Sequence, residues 1–224
     1  MSSVLFLSQS VKHVMSGTIP VYIYISSLSA WIPAVVGIIA WRKLSDDLKI
    51  FLILFLIAGT VEILSLVLAN LGVRNLLLGN LFIMFEFSFF VYVISMWKTG
   101  LRRKLLVGLI PVFLTVYVVL QLMYYSWQDI NQLGKLLQLL ILIIVALFSL
   151  YEDVILSLQS VVRNYKTWIL LGMLLYFGGT AFSFLLGEAM FAGEMPHGWL
   201  VHSIINTIAN VSYGASFLWA RVEN

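Results

Sequence analysis

The chain reads as an all-α polytopic membrane bundle of seven transmembrane helices, with its N-terminus outside and its C-terminus in the cytoplasm. Composition is the first reason: 62% of the 224 residues are hydrophobic and 10% are charged, against roughly 25% charged in soluble domains. A soluble fold of this size would leave so much apolar surface facing water that lipid is the better solvent. The second reason is seven apolar stretches of spanning length, and the third is that basic residues collect in alternate connections.

A spanning helix needs about 20 mostly apolar residues at 1.5 Å rise, because the hydrocarbon core is about 30 Å thick. The stretches are 19–41, 49–70, 75–97, 105–125, 134–156, 167–190 and 198–220. Each is expected to be helical, since nothing in the hydrocarbon satisfies an open backbone group. Pro33 in the first and Pro111 in the fourth are expected to bend their helices by removing a backbone donor. Residues 1–18 lack the basic start and small-residue cleavage site of a removable signal peptide, and are expected to remain as an extracytoplasmic segment lying on the membrane or as a disordered tail. Residues 19–220 form the helical domain and 221–224 a cytoplasmic tail.

Direction follows from charge. With the N-terminus outside, Arg42, Lys43, Lys49, Lys98, Arg102, Arg103, Lys104, Arg163, Lys166 and Arg221 fall inside, leaving only Lys12, Arg74 and Lys135 on the other side. Cytoplasmic loops carry such an excess of Lys and Arg. Tryptophan agrees, since its amphipathic ring favours the headgroup level. Trp41, Trp97, Trp168 and Trp219 fall at inner ends, Trp127 and Trp199 at outer ends, and only Trp31 at mid-depth.

Ionisable groups at membrane depth are costly, about 2.5–3.5 kcal/mol on insertion scales, and face other helices or a wet cavity. Glu62 and Glu86 are two such groups. Glu62 shares a small and polar helix face with Ala58, Ser65 and Ala69. His202, Asn206 and Asn210 recur every four residues, which stacks them on one stripe. Counted from the outer end, Glu62 is level with Asn206 and Glu86 with Asn210. A polar pocket lined by Glu62, Glu86, His202, Asn206 and Asn210, open outward, is therefore expected, with Asn80 and Tyr213 contributing. The competing reading is that these groups only hydrogen-bond helices together. Glu152 and Asp153 point about 100° apart on a helix and read as interfacial ion-pair partners for Arg163, Lys166 or a neighbouring inner loop, and Glu188 and Glu194 read likewise near the outer surface.

Several chemistries are excluded. The chain has no cysteine, so it has neither disulfides nor thiolate metal sites nor a cysteine nucleophile. Helix seven has no lysine for a retinal Schiff base, and His202 is the one histidine in a predicted span, too few for a zinc-dependent intramembrane hydrolase of the ceramidase and progestin-receptor-like type. Neither a phosphate-binding loop nor a G-x-S-x-G elbow is present. No cofactor or metal is expected, and catalytic residues are not assignable. The net charge of +3 belongs with a cytoplasmic membrane face, not with nucleic acid.

Helices one to three and five to seven have similar spacing, with Gly59-Thr60 opposite Gly179-Thr180. A three-one-three arrangement resembles SWEET and vitamin-type PnuC transporters, whose parallel repeats frame a central site. Pro33 with Arg42-Lys43, Glu86, and His202-x3-Asn206-x3-Asn210 also resemble uncharacterised bacterial seven-helix membrane proteins. That resemblance implies a bacterial inner membrane and a shared bundle, and no substrate. The expected role is binding of a small molecule or lipid, as a transporter or membrane sensor. The alternatives are an intramembrane enzyme with Glu62 or Glu86 as base assisted by His202, and a structural subunit. Membrane lipids are expected partners, beside a small-molecule ligand and a second copy or another membrane protein. Small-residue seams at Gly179, Ser183 and Gly187, and at Ser212, Ser216 and Ala220, suit either internal packing or such an association.

Overall fold

The computed structural model describes residues 20–152, 163–186 and 197–220. The expectations for residues 1–18, Asp153, Gly187, Glu188, Glu194 and 221–224 lie outside them, as do the predicted ends of helices five and six. The helices run α1 (Val21–Ser29), α2 (Trp31–Ala40), a 3-10 turn (Trp41–Lys43), α3 (Asp46–Asn70), α4 (Leu76–Met96), α5 (Gly100–Tyr124), α6 (Gln132–Leu150), α7 (Tyr165–Leu185) and α8 (Gly198–Trp219). The segment Val21–Lys43, which is α1, α2 and the turn together, and α3 to α7 make six helices long and apolar enough to cross a membrane. The protein is a multi-pass membrane protein, and its fold is a helical bundle.

The bundle is arranged inside out relative to a soluble protein. Ser26, Glu62, Asn80, Glu86, Gln138, Asn206 and Asn210 are buried, while Ile39, Leu101, Leu122 and Phe148 stand two-thirds or more exposed. Water would impose the reverse. The seventh helix, α8, shows this most clearly. Its buried face carries His202, Ser203, Asn206, Asn210, Ser212 and Ser216, and its outer face carries Val201, Ile204, Ile208, Val211 and Leu218. The same polar stripe that lowers its overall apolarity, and keeps it out of the six, lies against α7, α2 and α1.

The first span is broken at Ala30, one turn before Pro33. Pro33 cannot donate to the Ser29 carbonyl and its ring crowds that turn. Pro111, by contrast, sits within α5 without interrupting it. Two boundaries begin earlier than the apolar pattern. α3 starts at Asp46, where Asp46 and Asp47 suit the positive helix start, and α5 starts at Gly100, so Arg102, Arg103 and Lys104 form its first turns. Polar residues at the interface can stay helical because water satisfies their exposed backbone.

Glycine permits several close approaches between helices. A Cβ on Gly59 would stand 2.8 Å from the Trp31 indole, one on Gly172 2.6 Å from the Tyr213 ring, and one on Gly179 2.5 Å from Ile205. The mid-depth Trp31 is therefore seated on a glycine of α3. Gly59 meets the first span while Gly179 meets α8, so the matching dipeptides do not occupy equivalent seams. The central core is aromatic: Phe51 meets Phe55, Phe90 and Tyr213 edge to face at 4.8–5.8 Å, a preferred geometry for aromatic pairs.

Candidate functional site

Glu86 sits at the midpoint of the 21-residue α4 and is 2% exposed. A charge placed there needs a partner, and α6 supplies it. Lys135, the fourth residue of α6, turns its ammonium into the bundle, where Nζ lies 3.7 Å from Glu86 Oε2. Gln138 bridges the pair: Lys135 Nζ donates to Gln138 Oε1 at 2.9 Å, and Gln138 Nε2 donates to Glu86 Oε2 at 2.9 Å. Lys135 and Gln138 stand three residues apart, on one face of the helix. Both are buried. The long stem of Lys135 turns its charge into the bundle, towards a carboxylate.

Glu62 is equally buried, beside Ser27 of α1 and within electrostatic reach of Glu86. The inward face anticipated for α3 is present, with Ala58, Glu62 and Ser65 each at most 2% exposed. From α7, Tyr176 sets its hydroxyl against Glu86.

Between these elements lies a cavity of about 10 Å³ whose polar wall is Glu86, Tyr176, Asn210 and Tyr213, closed on its other sides by Phe55, Phe90 and neighbouring apolar side chains. That volume admits about one water. The Tyr213 hydroxyl is buried and has no hydrogen-bond partner among the described residues. A buried hydroxyl left so costs about 1–3 kcal/mol.

The helix-seven stripe is spent mostly on other elements. Asn206 Nδ2 donates to Ser26 Oγ at 2.8 Å and Asn210 Nδ2 to Ser29 Oγ at 2.8 Å. Ser29 Oγ in turn donates to the Ser26 carbonyl at 2.6 Å. The two asparagines therefore staple α8 to the turn that Pro33 breaks. His202 Nδ1 lies 2.8 Å from Ser183 Oγ of α7, and its Nε2 is buried without a hydrogen-bond partner among the described residues. Asn80 belongs to a separate cluster with Tyr117 and Asn131. It accepts from the Tyr117 hydroxyl at 2.8 Å and donates to the Asp129 carbonyl at 2.8 Å, while Asn131 donates to the Tyr117 carbonyl at 3.0 Å. Of the seven candidates, Glu86, Asn210 and Tyr213 line the cavity. Glu62 neighbours it, and His202, Asn206 and Asn80 are engaged elsewhere.

A third buried carboxylate, Asp47, closes the opposite end of the bundle. Asp47 Oδ2 accepts from Trp97 Nε1 at 2.8 Å and from the Tyr165 hydroxyl at 2.9 Å, and Ser45 donates to its other oxygen. It ties α3, α4 and α7 at one level.

No family model, curated protein or solved structure matches this chain.

Proposed function

We propose that this chain is a seven-span inner-membrane protein that binds a small molecule or lipid at the Glu86 centre and acts as a transporter or membrane sensor. The reading rests on one observation: a lysine, a glutamine and a glutamate are linked at membrane depth beside a small, mostly apolar cavity onto which opens a hydroxyl with no hydrogen-bond partner among the described residues. Ionisable groups held there mark substrate and ion pathways more often than packing seams. In the closed arrangement described, the cavity fits no metabolite, so binding one requires the helices to part. The first span is the element suited to that motion, because it is already discontinuous at Ala30 and is joined to α8 through side chains.

The inside-out polarity of α8 supports counting it as the seventh span. The basic clusters at 42–43, 98–104 and 163–166 then favour an outer N-terminus and a cytoplasmic C-terminus. A structural subunit is the second reading, and the asparagine–serine staples favour it.

The absence of cysteine gives a background-free test. Ser29→Cys, placed at the staple, is challenged with a membrane-impermeant maleimide on each side of sealed proteoliposomes. Labelling from both sides supports transport, labelling from one side supports a sensor, and protection from both in folded protein supports the structural reading and rejects binding at this centre. Native mass spectrometry of gently purified protein complements it, with a small molecule expected in the natural protein and lost in a stably folded Glu86→Gln variant.

A further inference from the structure

A groove of about 400 Å³ opens between α5 and α6 at the end of the bundle where the basic residues collect. It exists because α5 leans on α4 and touches α6 much less. Leu105, Leu106, Ile144, Val145 and Phe148 form its walls, and Lys98, Arg102 and Glu152 form its head. Leu105, Ile144 and Phe148 are more than half exposed, so the groove faces the acyl chains and not an aqueous loop. We propose that it is a binding site for an anionic phospholipid, with the phosphate at Lys98 and Arg102 and one acyl chain along the apolar wall.

Charge complementarity selects this occupant. Glu152 accepts from Lys98 Nζ at 3.0 Å and pairs with Arg102 at 2.7 Å, and the Arg102 side chain stays more than half exposed at the head of the groove. Arg103 and Lys104 follow in the same helical turns, and the first turn of α5 contains no acidic residue. The hydrogen bond from Lys98, with the charges of Lys98 and Arg102, holds the Glu152 carboxyl below the ordinary carboxylate range, so its negative charge persists at neutral pH. A zwitterionic lipid gains little from this basic helix start, whereas an anionic one gains the attraction usual for basic residues at a membrane surface. A second copy of the chain fits less well, because a twofold contact on this face brings Arg102, Arg103 and Lys104 towards their own copies.

The test uses full-length protein in mixed phosphatidylglycerol and phosphatidylcholine nanodiscs, released and counted by native mass spectrometry. The natural chain should retain one phosphatidylglycerol in preference to phosphatidylcholine. Arg102→Gln should lower that preference about fivefold, the factor one basic residue contributes near an anionic leaflet, and Ile144→Trp, which fills the groove, should abolish retention of either lipid. Both positions are more than half exposed, so unfolding temperatures should match the natural protein. Equal retention of the two lipids by the natural chain, an undiminished preference in Arg102→Gln, or a lipid-free dimer occupying this face would each overturn the assignment.

Discussion

Glu86 and Asp47 are both buried carboxylates, and their surroundings differ in kind. Asp47 is enclosed by neutral donors from Ser45, Trp97 and Tyr165 at one end of the bundle. Each donor belongs to a different segment, and the result is a clamp. Glu86 stands at mid-depth, opposite a cation that also had to be buried, beside an unfilled volume and a hydroxyl with no partner among the described residues. A clamp has no reason to retain a cavity or an ion pair, since replacing a buried pair with apolar side chains is often neutral or stabilising. The contrast is the ground for proposing a binding centre at Glu86 and a structural clamp at Asp47.

The comparison breaks most sharply on Lys135. Lys135→Met strands Glu86 as an unpaired buried charge and should cost about 3–5 kcal/mol, measured by chemical unfolding in detergent micelles. The double variant Glu86→Gln with Lys135→Met should recover most of that loss, and a double-mutant cycle isolates the coupling. Asp47→Ala should cost about 2–3 kcal/mol, the usual worth of hydrogen bonds to a charged group, and unlike Glu86→Gln should leave any bound small molecule in place. Gly172→Ala adds a methyl 2.6 Å from the Tyr213 ring. Overpacking of this kind costs about 1–3 kcal/mol and should displace the ring that walls the cavity, reducing ligand retention while the Asp47 clamp is unaffected. Asn206→Ala or Asn210→Ala should each cost about 0.6–1.7 kcal/mol, the measured range for hydrogen bonds between membrane helices, and should raise the reactivity of Ser29→Cys.

The smallest effect belongs to Glu152, the interfacial reference for the two buried acids. Its folded value is depressed by Lys98 and Arg102, so its contribution is fully present above the unfolded glutamate value of about 4.3 and is lost as pH falls through the lower folded value. Unfolding of natural and Glu152→Gln protein, compared at neutral pH and in that acid window, should show the difference shrinking with acidification. A constant difference would remove the ion pair from the account.

How much of this was legible varies by residue. The six apolar spans follow from length and composition, and the inward turn of Glu62 and Glu86 follows from the cost of exposing a carboxylate to lipid. The four-residue recurrence on α8 marked a polar stripe correctly but could not say that its partners were serines of a broken first span, since Ser26 and Ser29 carry no signal of their own. Lys135 was missed because a lysine one turn inside a helix end reads as an interface residue, and nothing in a sequence fixes which way its stem lies. The spacing to Gln138, on the same helix face, was the available clue. Asn80 was expected to contribute to the pocket, whereas the loop after α5 folds back to claim it, a tertiary event that position along a helix cannot register.

The polarity of α8 bears on how the protein is made. A segment carrying His202, Asn206 and Asn210 partitions poorly into a bilayer by itself, and it emerges after α1 and α7 during synthesis. Its insertion is therefore expected to be assisted by α1 and α7, already embedded and presenting Ser26, Ser29 and Ser183. Nascent chains ending before residue 198 would expose those serines to acyl chains and should be recognised as unfinished by membrane quality control.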